Sequence, residues 1–116
     1  MDNDHSICQR LAMMLDEDPS CTILIVGRYM PPVRAEYNKV RHLTRKARLR
    51  PTLATNGHLR SVTAQQGRLE AFAPIGLARG RRVRAVLHVG ERDDRIETVL
   101  DAFRASGAIV YTSLGV

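Results

Sequence analysis

The chain has 116 residues, 44% of them hydrophobic, and carries a formal net charge of +6 with a sequence pI near 10.1. That length supplies one domain, residues 1–116, with a single core. Composition excludes several classes. No apolar run approaches the ~18 residues of a membrane span. The two cysteines, Cys8 and Cys21, form neither a disulfide framework nor a zinc spacing. Five aromatic residues are too few for a platform that stacks single-stranded bases.

The charge is unevenly spread. Residues 1–27 hold one Arg against five carboxylates, residues 28–84 hold 14 basic residues against Glu36 and Glu70, and residues 85–116 hold three Arg against five carboxylates. A basic middle between acidic ends favours contact with a polyanion or with an acidic protein surface. The start, MDNDHS, is acidic and lacks the basic, apolar pattern of a secretory signal. Cytoplasmic placement is the expectation.

Asn3 or Asp4 caps a first helix from about His5, with Ile7, Leu11, Met14 and Leu15 at helical spacing and Cys8 beside them. Pro19 ends it. Thr22 to Val26 is a continuous apolar, β-branched run that suits a strand buried on both faces, closed by Gly27. Pro31-Pro32 opens a second helix predicted over Pro32 to Arg48. Its packing stripe is Val33, Tyr37, Val40, Thr44 and Ala47. Arg34, Arg41, Arg45 and Arg48 would lie within about 60° of one another on its outer side, flanked by Lys39, His42 and Lys46. With only Glu36 opposing them, this face is a candidate polyanion contact.

Pro51 to Thr55, Asn56-Gly57 and His58 to Ala64 read as a β-hairpin, because Asn-Gly tolerates positive φ. Gln65 to Gly80 reads as an irregular loop with one helical turn, and Arg79, Arg81 and Arg82 extend the basic surface there. Val83 to Val89 is a second buried strand, in which His88 is expected to be a hydrogen-bonded core residue. Asp93 or Asp94 caps a third helix whose inward stripe is Ile96, Val99, Leu100 and Phe103. Ala108 to Thr112 is the last strand. Strands alternate with helices, so the predicted class is α/β, a largely parallel sheet flanked by helices with one β-hairpin. Neither the histidines nor the carboxylates fall at a metal-binding or catalytic spacing, so no catalytic residue, metal or cofactor is expected.

The order of these pieces resembles the N-terminal ATPase core of the phage large terminase subunit, the motor that packs DNA. His5-Ser6-Ile7 and Gln9 resemble the segment after that family's phosphate-binding loop. Leu53 to Ala64 resembles its hairpin, Leu77 to Gly80 a short loop, and Val86 to Glu91 its acidic strand. Ile109 to Ser113 resembles the strand that couples hydrolysis to movement. The departures are specific. Asp2, Asn3 and Asp4 stand where the loop's Gly-Lys-Ser would lie, and Gly90 replaces the metal-site Asp, although Glu91 keeps the neighbouring carboxylate. The resemblance therefore implies a degenerate P-loop-like fold that does not hydrolyse ATP. Binding of nucleic acid through Arg34, Lys39, Arg41, Arg45, Lys46, Arg48, Arg79, Arg81 and Arg82 is one expected function. Inhibition of a motor or host defence complex through protein contacts is the alternative. Without the strand that leads into the loop, Ile109, Val110, Tyr111, Thr112 and Ser113 should form an exposed sheet edge. The N-terminal segment, a second copy of the chain or a partner protein would cover it.

Overall fold

The computed structural model describes residues 3–78 and 82–113. Three helices and six strands follow in the order α1 (Asn3–Glu17), β1 (Thr22–Gly27), α2 (Met30–Leu43), β2 (Arg50–Ala54), β3 (His58–Val62), β4 (Arg68–Phe72), β5 (Ala85–Val89), α3 (Asp94–Ala105) and β6 (Ile109–Ser113), with a 3-10 turn at Ile75–Ala78. The strands form one sheet in the order β2-β3-β4-β1-β5-β6. β4, β1, β5 and β6 run parallel, and the β2–β3 hairpin adds antiparallel to β4. The class is the expected one, with a mixed sheet whose larger part is parallel.

The pattern of burial explains the layers. β1 and β5 are buried along nearly their whole lengths, as strands covered on both faces must be. Ile23, Ile25, Leu69, Leu87 and Val89 pack against Leu11 and Leu15 of α1 and Val33, Tyr37 and Val40 of α2. Leu24, Val26, Phe72 and Val86 face the other way, against Ile96, Leu100 and Phe103 of α3 and Ile75 and Ala78 of the 3-10 turn. The first and third helices therefore bury the stripes their sequences predict. Asp93 is the cap of α3, its carboxylate accepting from the Ile96 N–H at 2.9 Å.

Four expectations need correction. First, Gln65 to Gly80 is not one loop. Arg68–Phe72 is the strand β4, inserted between the hairpin and β1. Its Glu70, a residue type that reads as surface, is fully buried. His58 Nε2 lies 2.5 Å from that carboxylate, and the His58 ring stacks on Phe72 at 4.2 Å.

Second, α2 stops at Leu43, so Arg45, Lys46 and Arg48 are not helical. Thr44 turns to an extended conformation and its hydroxyl donates to the Val40 carbonyl. The next three backbone N–H groups, of Arg45, Lys46 and Ala47, point at the Asp16 carboxylate at 2.7–3.2 Å. Arg48 then adopts φ 51, outside the helical region.

Third, neither Asn56 nor Gly57 has positive φ, so the hairpin forms for another reason. Thr55 and His58 close the turn by backbone and hydroxyl hydrogen bonds. Close approach favours glycine at position 57, since a Cβ there would meet the Ala73 carbonyl oxygen at 3.0 Å. Fourth, His88 is in the core, but neither ring nitrogen has a hydrogen-bond partner among the described residues.

β6 stands at the end of the sheet and pairs only with β5 among the described residues. The edge expected at Ile109 to Ser113 is present. No described helix is long and apolar enough to cross a membrane.

Candidate nucleic-acid interface

Because β4, β1, β5 and β6 are parallel, the sheet has one end where these strands start and another where they finish. The two ends differ in charge. At the finishing end, two arginines are matched with carboxylates, while exposed Arg95 has no ion pair among the described residues. Arg28 meets Asp93 at 2.8 Å, and Arg92 meets Glu97 at 3.1 Å. Arg104, in the last turn of α3 and so at the starting end, is also matched, meeting Asp101 at 2.6 Å. The Ile96 N–H and the charge of Arg28 hold the Asp93 carboxyl below the usual range.

The starting end is different. Strand register places Arg50 opposite Val62, Val62 opposite Arg68, and Arg68 beside Thr22. Arg84 follows, donating its N–H to the Thr22 carbonyl. Side chains paired directly across strands share a face. Arg68 precedes Glu70 and Phe72, and Arg84 precedes Val86, so both lie on the α3 side of the sheet. Arg50, Arg68 and Arg84 thus form a row, each separated from the next by one intervening strand and hence by roughly 10 Å, and of the three Arg68 is ion-paired, with Glu70 at 3.7 Å. Arg60 stands one step further in, its Nε donating to Thr52 at 3.0 Å.

The Asp16-anchored segment brings Arg45, Lys46 and Arg48 to this same end on the opposite side of the sheet. All three are exposed. Burial alone would raise the Asp16 pKa. The N–H groups of Ala47, Arg45 and Lys46 and the Lys46 charge outweigh it and hold it below the ordinary aspartate value. The anchor stays ionised at neutral pH and fixes where the three cations project. Asp18 is also here, but its carboxylate is engaged by the Ser20 hydroxyl and N–H.

The expected basic residues are thus divided. Arg34 and Arg41 lie seven residues apart on α2, but Arg34 is exposed whereas Arg41 is half-buried, its Nε shielded from solvent and without a hydrogen-bond partner among the described residues. The Arg41 guanidinium sits 5.8 Å from the centre of the Tyr37 ring, while Lys39 is paired with Glu36 at 3.3 Å. Arg45, Lys46 and Arg48 belong to the starting end. Arg82 is exposed there too, beside Arg84, Asp18 and Ile109 along a shallow cleft. Arg79 and Arg81 lie outside the described residues. Sequence reasoning missed Arg50, Arg60, Arg68 and Arg84. The signal for Arg60 was present, because His58, Arg60 and Val62 alternate with buried Leu59 and Ser61. The row itself depends on register, which no local pattern reveals.

A small cavity of about 160 Å³ lies at the finishing end, lined by Arg28, Tyr29, Pro32, Val89, Gly90 and Glu91. This is where open α/β sheets commonly bind ligands. Its cation, Arg28, is already paired with Asp93. Among the described residues no group of His, Cys, Asp and Glu could hold a metal ion. Comparison of the chain with protein families, with curated proteins and with solved structures gives no match.

Proposed function

We propose that this protein binds nucleic acid, DNA foremost, through the starting end of its sheet and the adjoining outer side of α2. One observation carries the reading. Among the described residues, Arg45, Lys46, Arg48, Arg50 and Arg84 at the starting end have no carboxylate within ion-pairing distance, whereas Arg28 and Arg92 at the finishing end do. Unmatched cations gathered on one end attract a polyanion and release its counterions. The contacts are to phosphates and carry little sequence information. The protein acts by binding rather than turnover, as a non-hydrolysing relative of packaging-motor ATPase cores. The run HSICQ and the order of elements support that ancestry. Asp2, Asn3 and Asp4 in place of the phosphate-binding residues support the lack of hydrolysis. Thermal stability unchanged by Mg-ATP is the expected result.

Binding to a short labelled duplex over a salt series tests the interface. If six phosphates are neutralised, log K falls against log salt with a slope of about −5. Replacing Arg50 and Arg84 by Ala reduces the slope by about 2. Replacing Arg34, Arg41, Arg45 and Arg48 by Ala also weakens binding. Equal binding by wild type and both variants, or none at low salt, overturns the proposal. The second reading, an inhibitor acting through protein contacts, draws on the open edge of β6.

A further inference from the structure

The two edges of the sheet are unlike. β2 carries Pro51, exposed Arg50 and a register irregularity between Pro51 and Leu53. Prolines, charges and bulges are what keep an edge from pairing with another chain. β6, with the sequence IVYTS, has none of them.

The β5–β6 ladder shows which groups β6 leaves open. Ile109 donates its N–H to the Arg84 carbonyl, and the Ser113 carbonyl accepts from the Gly90 N–H. In a parallel ladder, alternate residues of a strand turn their backbone groups to the same neighbour. Ile109, Tyr111 and Ser113 therefore face β5. Val110 and Thr112 turn N–H and C=O to the free edge, where no described residue takes them.

We propose that this edge pairs with a second copy of itself, antiparallel, about a two-fold axis at Tyr111. Val110 of each protomer then exchanges both backbone hydrogen bonds with Thr112 of its partner. Four bonds form, and every backbone group left open by the ladder at these positions is satisfied. The two copies of Tyr111 become a directly opposed pair without hydrogen bonds, with Cα atoms ~4.5 Å apart. Aromatic pairs there are favourable. Ile109, 45% exposed, falls opposite Ser113 of the partner and is covered. A cleft of about 300 Å³ beside the edge, lined by Ser6, Ile7, Arg10, Tyr111 and Thr112, leaves room for the partner's side chains.

Charge favours a copy over an acidic or basic partner. The strand itself is neutral, so no like charges on β6 meet across the axis; the cations nearest it are Arg10 in the adjoining cleft and Arg82 and Arg84 beside Ile109. β2 is five strand spacings from β6, or ~24 Å. That is well beyond the ~8–10 Å screening length at physiological salt. The arginines of the hairpin therefore do not hold two copies apart. The closed, isologous arrangement ends at two chains.

Sedimentation equilibrium of the whole chain over a wide concentration range tests this. Wild type is expected to reach twice the chain mass of 13.0 kDa. Thr112→Pro removes an outward donor that β5 does not use and is expected to stay monomeric, with an unchanged far-UV spectrum. Tyr111→Lys and Tyr111→Glu each place like charges opposite one another. Each is expected to weaken self-association at least tenfold, and an equimolar mixture is expected to restore the dimer. That restoration occurs only if position 111 meets itself across the axis. A wild type monomeric at every concentration overturns the proposal. So does a folded Thr112→Pro variant that still dimerises, or a mixture that fails to associate.

Discussion

His88 lies fully buried in β5, between Val26 of β1 and Thr112 of β6, with both ring nitrogens lacking a partner among the described residues. Replacing it by Leu should stabilise the protein. A buried polar group left unsatisfied costs ~1–3 kcal/mol. Imperfect fit of a new apolar side chain of similar size costs up to ~1.5 kcal/mol. The expected net gain at pH 7.5 is about 1 kcal/mol, or roughly 4 °C in Tm for a domain of this size. pH sharpens the test. Burial, followed by the charge of Arg92, holds the folded-state pKa of His88 below its ordinary value, against the opposing influence of Glu97 and Asp93. Between that depressed value and ~6.5 the unfolded ring binds a proton that the folded ring refuses. Wild-type stability is therefore complete above this window and declines as pH falls through it. A leucine side chain at this position has nothing to protonate. Urea unfolding at pH 7.5 and 5.5 should show His88→Leu ahead at the first pH and further ahead at the second. A variant less stable than wild type by 1 kcal/mol at pH 7.5, or a gap that does not widen in acid, would refute the reasoning.

The Asp16 anchor predicts a loss of opposite pH character. Asp16→Ala frees three backbone N–H groups at a half-exposed site. It should cost about 1–2 kcal/mol at pH 7, discounted from the ~1.5–3 kcal/mol of a buried charged hydrogen bond. Because the folded pKa is lowered, the difference persists above about pH 4 and fades as pH falls through the folded value, which urea midpoints at pH 7 and pH 3 would show. DNA affinity should fall with it, since Arg45, Lys46 and Arg48 lose their fixed placement. Gly67→Ala sets a Cβ 2.0 Å from the Pro19 carbonyl oxygen and 2.8 Å from that of Cys21. Both are backbone, so the cost should reach about 3 kcal/mol. Gly76→Ala meets nothing within 4 Å and should change stability by less than about 0.5 kcal/mol. Equal thermal melts for the two glycine variants would contradict the packing described.

What local patterns carry, the sequence displayed. The stripes of α1 and α3, the buried runs of β1 and β5, the proline start of α2 and the Asp93 cap are all short-range signals. What failed depended on groups distant in the chain. β4 was hidden because Glu70 looks like surface until His58, twelve residues earlier, is placed against it. The end of α2 was hidden because periodicity continues through Arg48, while the Asp16 carboxylate, some thirty residues back, draws the backbone out of the helix. The arginine row was hidden for the same reason. Arg50, Arg68 and Arg84 come together only once three strands of separate origin settle into register.

The position of β1 has a consequence for how the chain is made. Its two neighbours in the sheet both come later in the sequence. Ile23 pairs with Leu69 on one side and with Ala85, 62 positions downstream, on the other. At ~5–20 residues per second of synthesis, the apolar run TILIVG waits roughly 3–12 s for its second partner. Helix α1 and then α2 can shelter one face of it in that interval, but the flank reserved for β5 has no occupant. The middle of the sheet is therefore completed after its outer hairpin. The interval in which a nascent chain is most exposed to wrong pairing closes only when residues 85–89 emerge.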